Sequence, residues 1–360
     1  MPFTPFPVPL VRCLGTLVLA WLGAQTCQWL HTPIPWMLGP LIVTASASLA
    51  GAPTYSWSLM RKIGQATIGM SLGLYFSPEM VALIAGLWWA IGLAIVWSLV
   101  MGYLCGLWLY RSNHAQNPAM TRSTAYFSGA IGGASEMTQL ADKMGGRADW
   151  VASAHSLRVL LVTITIPFAM QWGHFNGNVQ WQNNPLPFDP LGLAALVALS
   201  ALSIALMLRW RLANPWFLGS LAVGIAVTAT GQRWTAMPGA LSQAAQMFIG
   251  VSLGVQFTPQ FLRTAPRWLS AVAISTMVMM GLAVGFSWLL AHAIDLSTAT
   301  LVLGTAPGGM AEMTITAKVL QLGVPIVTAF QVSRLVAILV LVGPIYRWWV
   351  EPNHRPQPCA

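Results

Sequence analysis

Charge is scarce in this sequence. Of 360 residues only 7% are charged, against 56% hydrophobic, too few charged groups to cover a soluble globule of that size, so lipid must be the solvent. Cysteine is scarce as well: Cys13, Cys27, Cys105 and Cys359 form no C-x-x-C or paired spacing, which argues against a disulfide or zinc framework. The histidines (His31, His114, His155, His174, His292, His354) contain no H-x-x-x-H or H-x-H pair, so neither a metal site nor any other cofactor is expected. The cations behind the net charge of +9 form no run or stripe, which removes nucleic acid as a partner. They sit between the apolar segments, where orientation signals belong.

What the chain does contain is a succession of apolar stretches of about 20 residues, enough to span a hydrocarbon core at a rise of about 1.5 Å per residue. Backbone polar groups at that depth must be paired internally, so only helices or a closed barrel qualify. The runs are continuous rather than alternating, which selects helices. Arg12 followed by Leu14 to Ala24 looks like a signal peptide. It lacks an A-x-A cleavage register near Gly23 to Thr26, however, and has a counterpart in the second half, so it is read as a retained helix.

Self-similarity organises the rest. Pro35-Trp36-Met37-Leu38-Gly39-Pro40-Leu41 matches Pro215-Trp216-Phe217-Leu218-Gly219-Ser220-Leu221. Ile68 to Pro78 matches Ile249 to Pro259. Gly132-Gly133-Ala134-Ser135-Glu136-Met137-Thr138 matches Gly308-Gly309-Met310-Ala311-Glu312-Met313-Thr314, and Arg158 matches Arg334. The offsets of 180, 181, 176 and 176 keep both order and spacing. The expected organisation is a first membrane repeat at 1–172, an extracytoplasmic linker at 173–189 rich in Asn, Gly and Pro, a second repeat at 190–350 and a cytoplasmic tail at 351–360. Each copy carries six apolar segments; in the first copy the third to sixth run roughly 63–76, 80–109, 122–141 and 150–171.

The fifth segment of each copy holds a glycine pair and a glutamate, as a broken or re-entrant helix would. If every segment crossed, the cations would divide eight against seven. If the fifth segments dip in and return, thirteen fall on the cytoplasmic side, leaving Arg233 and Lys318 outside, the bias expected of a bacterial inner-membrane protein with both termini cytoplasmic. The fold class expected is therefore an all-α polytopic membrane protein: two inverted repeats of about five crossings each, plus a re-entrant or broken glycine-rich segment.

Glu136, Glu312, Arg158 and Arg334 are the candidate functional charges, because charge at that depth is costly unless paired or hydrated. Two roles are open. Each Glu and the Arg 22 residues later form an internal ion pair, or these charges line a midplane substrate or ion site together with Gly132, Gly133, Gly308, Gly309, Thr138 and Thr314 and the free backbone groups of the broken segments. Gly69-x-Ser71-x-Gly73 and Gly250-x-Ser252-x-Gly254 fit the G-x-S-x-G nucleophile pattern. They lie in apolar runs, so they are assigned to close helix packing, and no catalytic residue is expected. Pro33, Pro35, Pro40 and Pro215 flank or open second segments, with Asn214 placed as an N-cap. Trp29, Trp36, Trp210, Trp348 and Trp349 sit towards segment ends as interfacial anchors.

These doubled blocks (P-W-M-L-G-P, G-x-S-x-G-x-x-F-[ST]-P, and G-G-x-x-E-M-T followed by the buried Arg) resemble the bacterial AbrB membrane family over about residues 10–350. That family has a duplicated domain and often carries the label ammonia monooxygenase. The resemblance implies kinship with the cation:proton antiporter and anion transporter superfamily, and so a secondary transporter rather than an enzyme. The expected partners are a small solute or ion and the lipid bilayer, with a homo-oligomer open. A membrane-embedded sensor acting indirectly on gene expression is the alternative, and a copper monooxygenase, which needs gathered His and carboxylate ligands, ranks below both.

Overall fold

Helices are the elements found in the computed structural model, which describes residues 8–114, 120–175, 188–232, 234–259 and 266–350. The tail 351–360 with His354, Arg355 and Cys359, linker residues 176–187, Arg233, Arg263 and the Trp349 side chain lie outside the described residues. The first copy comprises α1 (Val8–Trp29), α2 (Pro35–Leu49), α3 (Ser58–Gly73), α4 (Pro78–Gly86), α5 (Trp88–His114), α6 (Arg122–Gly129), α7 (Ala134–Lys143) and α8 (Ala148–Trp172). The second comprises α9 (Pro190–Arg209), α10 (Pro215–Ala229), α11 (Gly239–Gly254), α12 (Pro266–Ala293), α13 (Thr298–Thr305), α14 (Met310–Val319) and α15 (Val324–Ile345), which ends in a π-turn at Tyr346–Val350.

Six helices, α1, α5, α8, α9, α12 and α15, are long and apolar enough to cross a membrane. The chain is thus an all-α polytopic membrane protein. Helices α2 and α10 are apolar but have 15 residues, and α3 and α11 have 16. Much of the surface of α2 meets protein, at Met37, Leu38, Leu41, Thr44 and Ser48. The expected fourth segment, 80–109, is not one rod. Its start forms α4, bent 90° from α3, and Pro78 opens that helix where proline is tolerated.

The chain divides into two compact units, and each draws on both copies. The first unit, residues 1–82, 167–263 and 318–325, holds α1–α3 and α9–α11. In it α3 packs on α10 and α11 on α2, so each copy's glycine-rich helix grips the other copy's P-W-x-L-G helix. A Cβ at Gly73 would lie 2.7 Å from Gly224 Cα, and one at Gly69 would lie 2.6 Å from Ser220 Oγ. On the symmetric side, a Cβ at Gly250 would reach the Met37 carbonyl at 2.5 Å, and one at Gly254 would reach the Ala45 amide at 2.9 Å. These approaches require a hydrogen at those positions, and the helical setting has no strand or elbow turn. Ser71, between the two glycines, is fully buried, whereas Ser252 is half-buried.

Proline starts α2 and α10 as expected. Asn214 occupies the N-cap position, but its side chain makes no capping bond; its backbone is left-handed at φ 48°, as is Ile34 at the matching place. Asparagine accepts that conformation more readily than a β-branched residue does. Pro40 lies inside α2 rather than at its edge and deprives the Trp36 carbonyl of its helical donor. Trp29, Trp210 and Trp348 are exposed near helix ends.

The second unit, residues 83–166, 264–317 and 326–360, is centred on α5 and α12. Ala90 and Ala94 pack with Phe286, Leu290, Leu301 and Phe330, and Trp97 stacks on Phe286 with ring centroids 4.6 Å apart. Helices α6 and α7 are two arms joined by a break at 130–133. Ser123 Oγ, at the start of α6, donates to the Ala141 carbonyl near the end of α7 at 3.4 Å. The Arg147 amide donates to Thr124 Oγ1 at 2.9 Å. The chain therefore leaves this hairpin beside the point where it entered.

Filling a glycine contact should destabilise the first unit. Gly73→Val or Gly224→Val is expected to cost about 1–3 kcal/mol by overpacking, read as a lower melting temperature of the detergent-solubilised protein. Gly285→Ala, where an added Cβ meets nothing within 4 Å, should leave it unchanged. Equal melting of all three would contradict the packing assignment.

Candidate functional site

The two glycine-broken segments belong to the second unit, and their chemistry begins at the break. A helix that stops leaves its last carbonyls without donors and a partial negative charge at that end. At the end of α6, Arg158 of α8 supplies the donors. Its guanidinium nitrogens donate to the carbonyls of Ser128 (3.1 Å), Gly129 (3.3 Å) and Ala130 (2.8 Å). At the end of α13, Arg334 of α15 does the same for Thr305 (3.2 Å), Ala306 (2.6 Å) and Gly308 (3.4 Å). Both arginines are buried at 4% exposure.

A second residue one helical turn earlier braces each arginine. His155 Nδ1 accepts from Arg158 at 2.7 Å, while Nε2 reaches the Phe127 carbonyl at 2.9 Å. Accepting at one nitrogen and donating from the other requires the neutral Nε2–H tautomer. In the second copy Gln331 takes this place, its Oε1 accepting from Arg334 at 2.5 Å and its Nε2 donating to the Leu303 carbonyl at 2.7 Å. Position 331 follows 155 by the same offset of 176 that relates the arginines. Histidine and glutamine share the acceptor-plus-donor geometry but not a letter, so only a positional comparison of the copies exposes the pair.

The glutamates act at the other side of each break. Gly133 is the N-cap of α7, and Glu136 stands at the third helical position, where a carboxylate folds back over the helix start. A Cβ on Gly133 would collide with the Glu136 carboxylate, and one on Gly309 with that of Glu312. The glycine pairs thus make room for these carboxylates. Gly132 is held against Met137, and Gly308 faces Met313 and Val162 of α8.

In the first copy the expected Glu136–Arg158 ion pair is not among the bonds that form. The bonds of Arg158 and Arg334 run to carbonyls, His155 and Gln331. A spacing of 22 residues puts the two charges at opposite sides of one break instead. Of the backbone groups expected to be free, the carbonyls of Ser128, Gly129 and Ala130 and of Thr305, Ala306 and Gly308 are taken by the arginines. Thr138 and Thr314 turn their hydroxyls back to Ala134 and Met310 of their own helices. The copies differ in exposure: Glu136 is half-buried and Glu312 is 6% exposed. Arg334 Nε is buried with no hydrogen-bond partner.

The charge pattern alone places Lys318 among the loop cations. Its ammonium is instead inserted into the first unit, donating to Ser71 Oγ at 2.8 Å and Ser242 Oγ at 3.4 Å, and lies 5.8 Å from the Tyr75 ring centroid. Among the described residues, no three His, Cys, Asp or Glu side chains gather as a metal site would require.

Duplicated, charge-capped helix breaks inside a bundle of apolar helices define the class: a polytopic membrane protein built from two copies of one unit. Residues 36–350 match the family described as Transition state regulatory protein AbrB, and the chain belongs to that family. It is 24% identical over 368 residues to "Uncharacterized protein YhjN" of Bacillus subtilis (strain 168), covering 94% of this chain and 93% of that one. It is 26% identical over 325 residues to "Putative regulator AbrB" of Escherichia coli (strain K12), covering 87% and 89%. No solved structure matches it.

Removing a capping arginine strands buried carbonyls. Arg158→Ala should cost about 3 kcal/mol, Arg158→Lys less, and His155→Gln less still, because glutamine performs that task in the second copy. Thermal unfolding of the four proteins checks the order, and an Arg158→Ala protein as stable as wild type would contradict it.

Proposed function

We propose that this chain is a secondary transporter of a small solute or ion, working by alternating access between inverted halves in the bacterial inner membrane. The observation that carries the proposal is the pair of helix breaks whose two sides are separately neutralised, by arginine at the carbonyl side and by glutamate at the amide side. A merely structural helix pair gains nothing from stopping inside the membrane. A transport site does, because helix ends in the bundle offer directed dipoles to a desolvated ligand. The arginines are frame and the glutamates are the exchangeable groups. Glu136, the more exposed of the two, binds a proton or cation, and the unsatisfied Arg334 Nε–H offers a donor to an oxyanion or water.

A second possibility has a specific observation behind it, since both the family's description and the name of the Escherichia coli relative are regulatory. A membrane-embedded sensor would use the same ligand site and pass occupancy to a partner. The copper monooxygenase suggested by the family's common label is not proposed, because the donor set it needs is not assembled among the described residues.

The test is flux in proteoliposomes under an imposed pH gradient or membrane potential, screening small carboxylates, amines and alkali cations. Wild type should move one class. Glu136→Gln and Glu312→Gln should fold normally yet lose gradient-driven flux by about tenfold or more. Absence of flux for every class, together with an effect on gene expression that wild type has and the glutamate variants lose, would overturn transport in favour of a sensor.

A further inference from the structure

A cavity of about 330 Å³ opens between α5, α6 and the π-turn, lined by residues other than those of the helix breaks. Three tyrosines, Tyr103, Tyr110 and Tyr126, and two arginines, Arg111 and Arg122, contribute to its lining. Its size falls in the range of small-molecule sites. Arg111 lies in the last turn of α5, and Arg122 is the first residue of α6. The Arg122 guanidinium sits 5.9 Å from the Tyr110 ring centroid, within cation–π range, and its Nη1 donates to the Val350 carbonyl at 3.5 Å. The Tyr126 hydroxyl is committed to the Val342 carbonyl at 3.1 Å, so that residue presents its ring. Among the described residues neither arginine has a carboxylate partner; the ion pair seen is Arg147–Asp149. The start of α6 adds the positive end of a helix dipole on the same side as Arg122.

Two guanidiniums without a carboxylate partner among the described residues, framed by phenol rings, select an anion whose body is less polar than its head. Guanidinium forks match phosphate oxygens in pairs. The depth of the cavity points the same way. The outer face of α5 carries exposed Leu93, Val96, Val100 and Leu104, then Trp108 one turn before Arg111. A lipid-facing stripe ending in tryptophan, tyrosine and arginine marks the level where hydrocarbon gives way to headgroups. We infer that this cavity binds a phosphate ester anion through Arg111 and Arg122, with the tyrosines packing against the group that carries it. Because Arg122 and Tyr126 belong to α6, occupancy would brace the entry arm of the first hairpin.

The phosphate has two sources, a phospholipid headgroup or a soluble phosphate ester, and one experiment distinguishes them. Purified protein in a neutral detergent is titrated with phosphatidylglycerol, phosphatidylcholine and glycerol 3-phosphate, following the melting temperature and the adducts retained in native mass spectrometry. Wild type should be stabilised by phosphatidylglycerol and not by phosphatidylcholine, with half-saturation about tenfold weaker in Arg111→Gln/Arg122→Gln. Stabilisation by glycerol 3-phosphate, lost in the same variant, would support the site and assign a soluble ligand. If the double variant does not fold, the single variants and Arg122→Lys give the same comparison. Equal response to the anionic and neutral lipids with no effect of glycerol 3-phosphate, or an anion response unchanged by the substitutions, would overturn the inference.

Discussion

A helix that ends inside a hydrocarbon layer must find donors for its last carbonyls, since dry, unpaired backbone groups cost several kcal/mol each. That constraint governs this protein. Helices α6 and α13 are eight residues long, so each stops about 12 Å from its start, well short of a crossing. Arg158 and Arg334 take up the exposed carbonyls. Each is itself tolerable in that setting because its charge is spread over three carbonyls and a neutral side chain. The arrangement is reciprocal, for arginine without the break would be an unpaired buried cation, and the break without arginine would be an open helix end. Glu136 and Glu312 stand at the opposite sides, in the first turns of α7 and α14.

The compact units show how a duplicated sequence becomes a single object. In the first unit glycines of one copy meet the P-W-x-L-G helix of the other, at Gly73 with Gly224 and at Gly250 with Met37. The second unit collects both broken segments with the arginine helices. Neither unit is one copy, so neither copy has a full complement of packing partners by itself. Lys318 illustrates a departure from the duplication. It stands where the first copy has Asp142, by the offset of 176, and its amine is held by serines of α3 and α11.

Much of this was legible from residues alone, for identifiable reasons. The paired glycines with glutamate marked the breaks because two glycines and a charge are each costly in the middle of an apolar helix. The small-residue spacing at Gly69, Gly73, Gly250 and Gly254 marked close contacts because a missing side chain is the signal itself. Other features were hidden. Glu136 and Arg158 look like partners in a linear count, yet backbone carbonyls, which leave no trace in a sequence, claim the arginine. His155 and Gln331 share a function without sharing an identity. The 90° bend before α4 follows a Ser77-Pro78 step that, in an apolar context, reads equally well as the start of a long span.

The central claim is that each broken segment returns to the side it came from, with arginine closing the carbonyl side of the break. Single cysteines at Arg122 and Lys143, placed in a background without native cysteine and treated in intact cells with an impermeant thiol reagent, test it most directly, with a cytoplasm-facing and a periplasm-facing control. The account predicts that both positions react from the same side. Labelling of one from outside and of the other only after permeabilisation would show a crossing segment and contradict it.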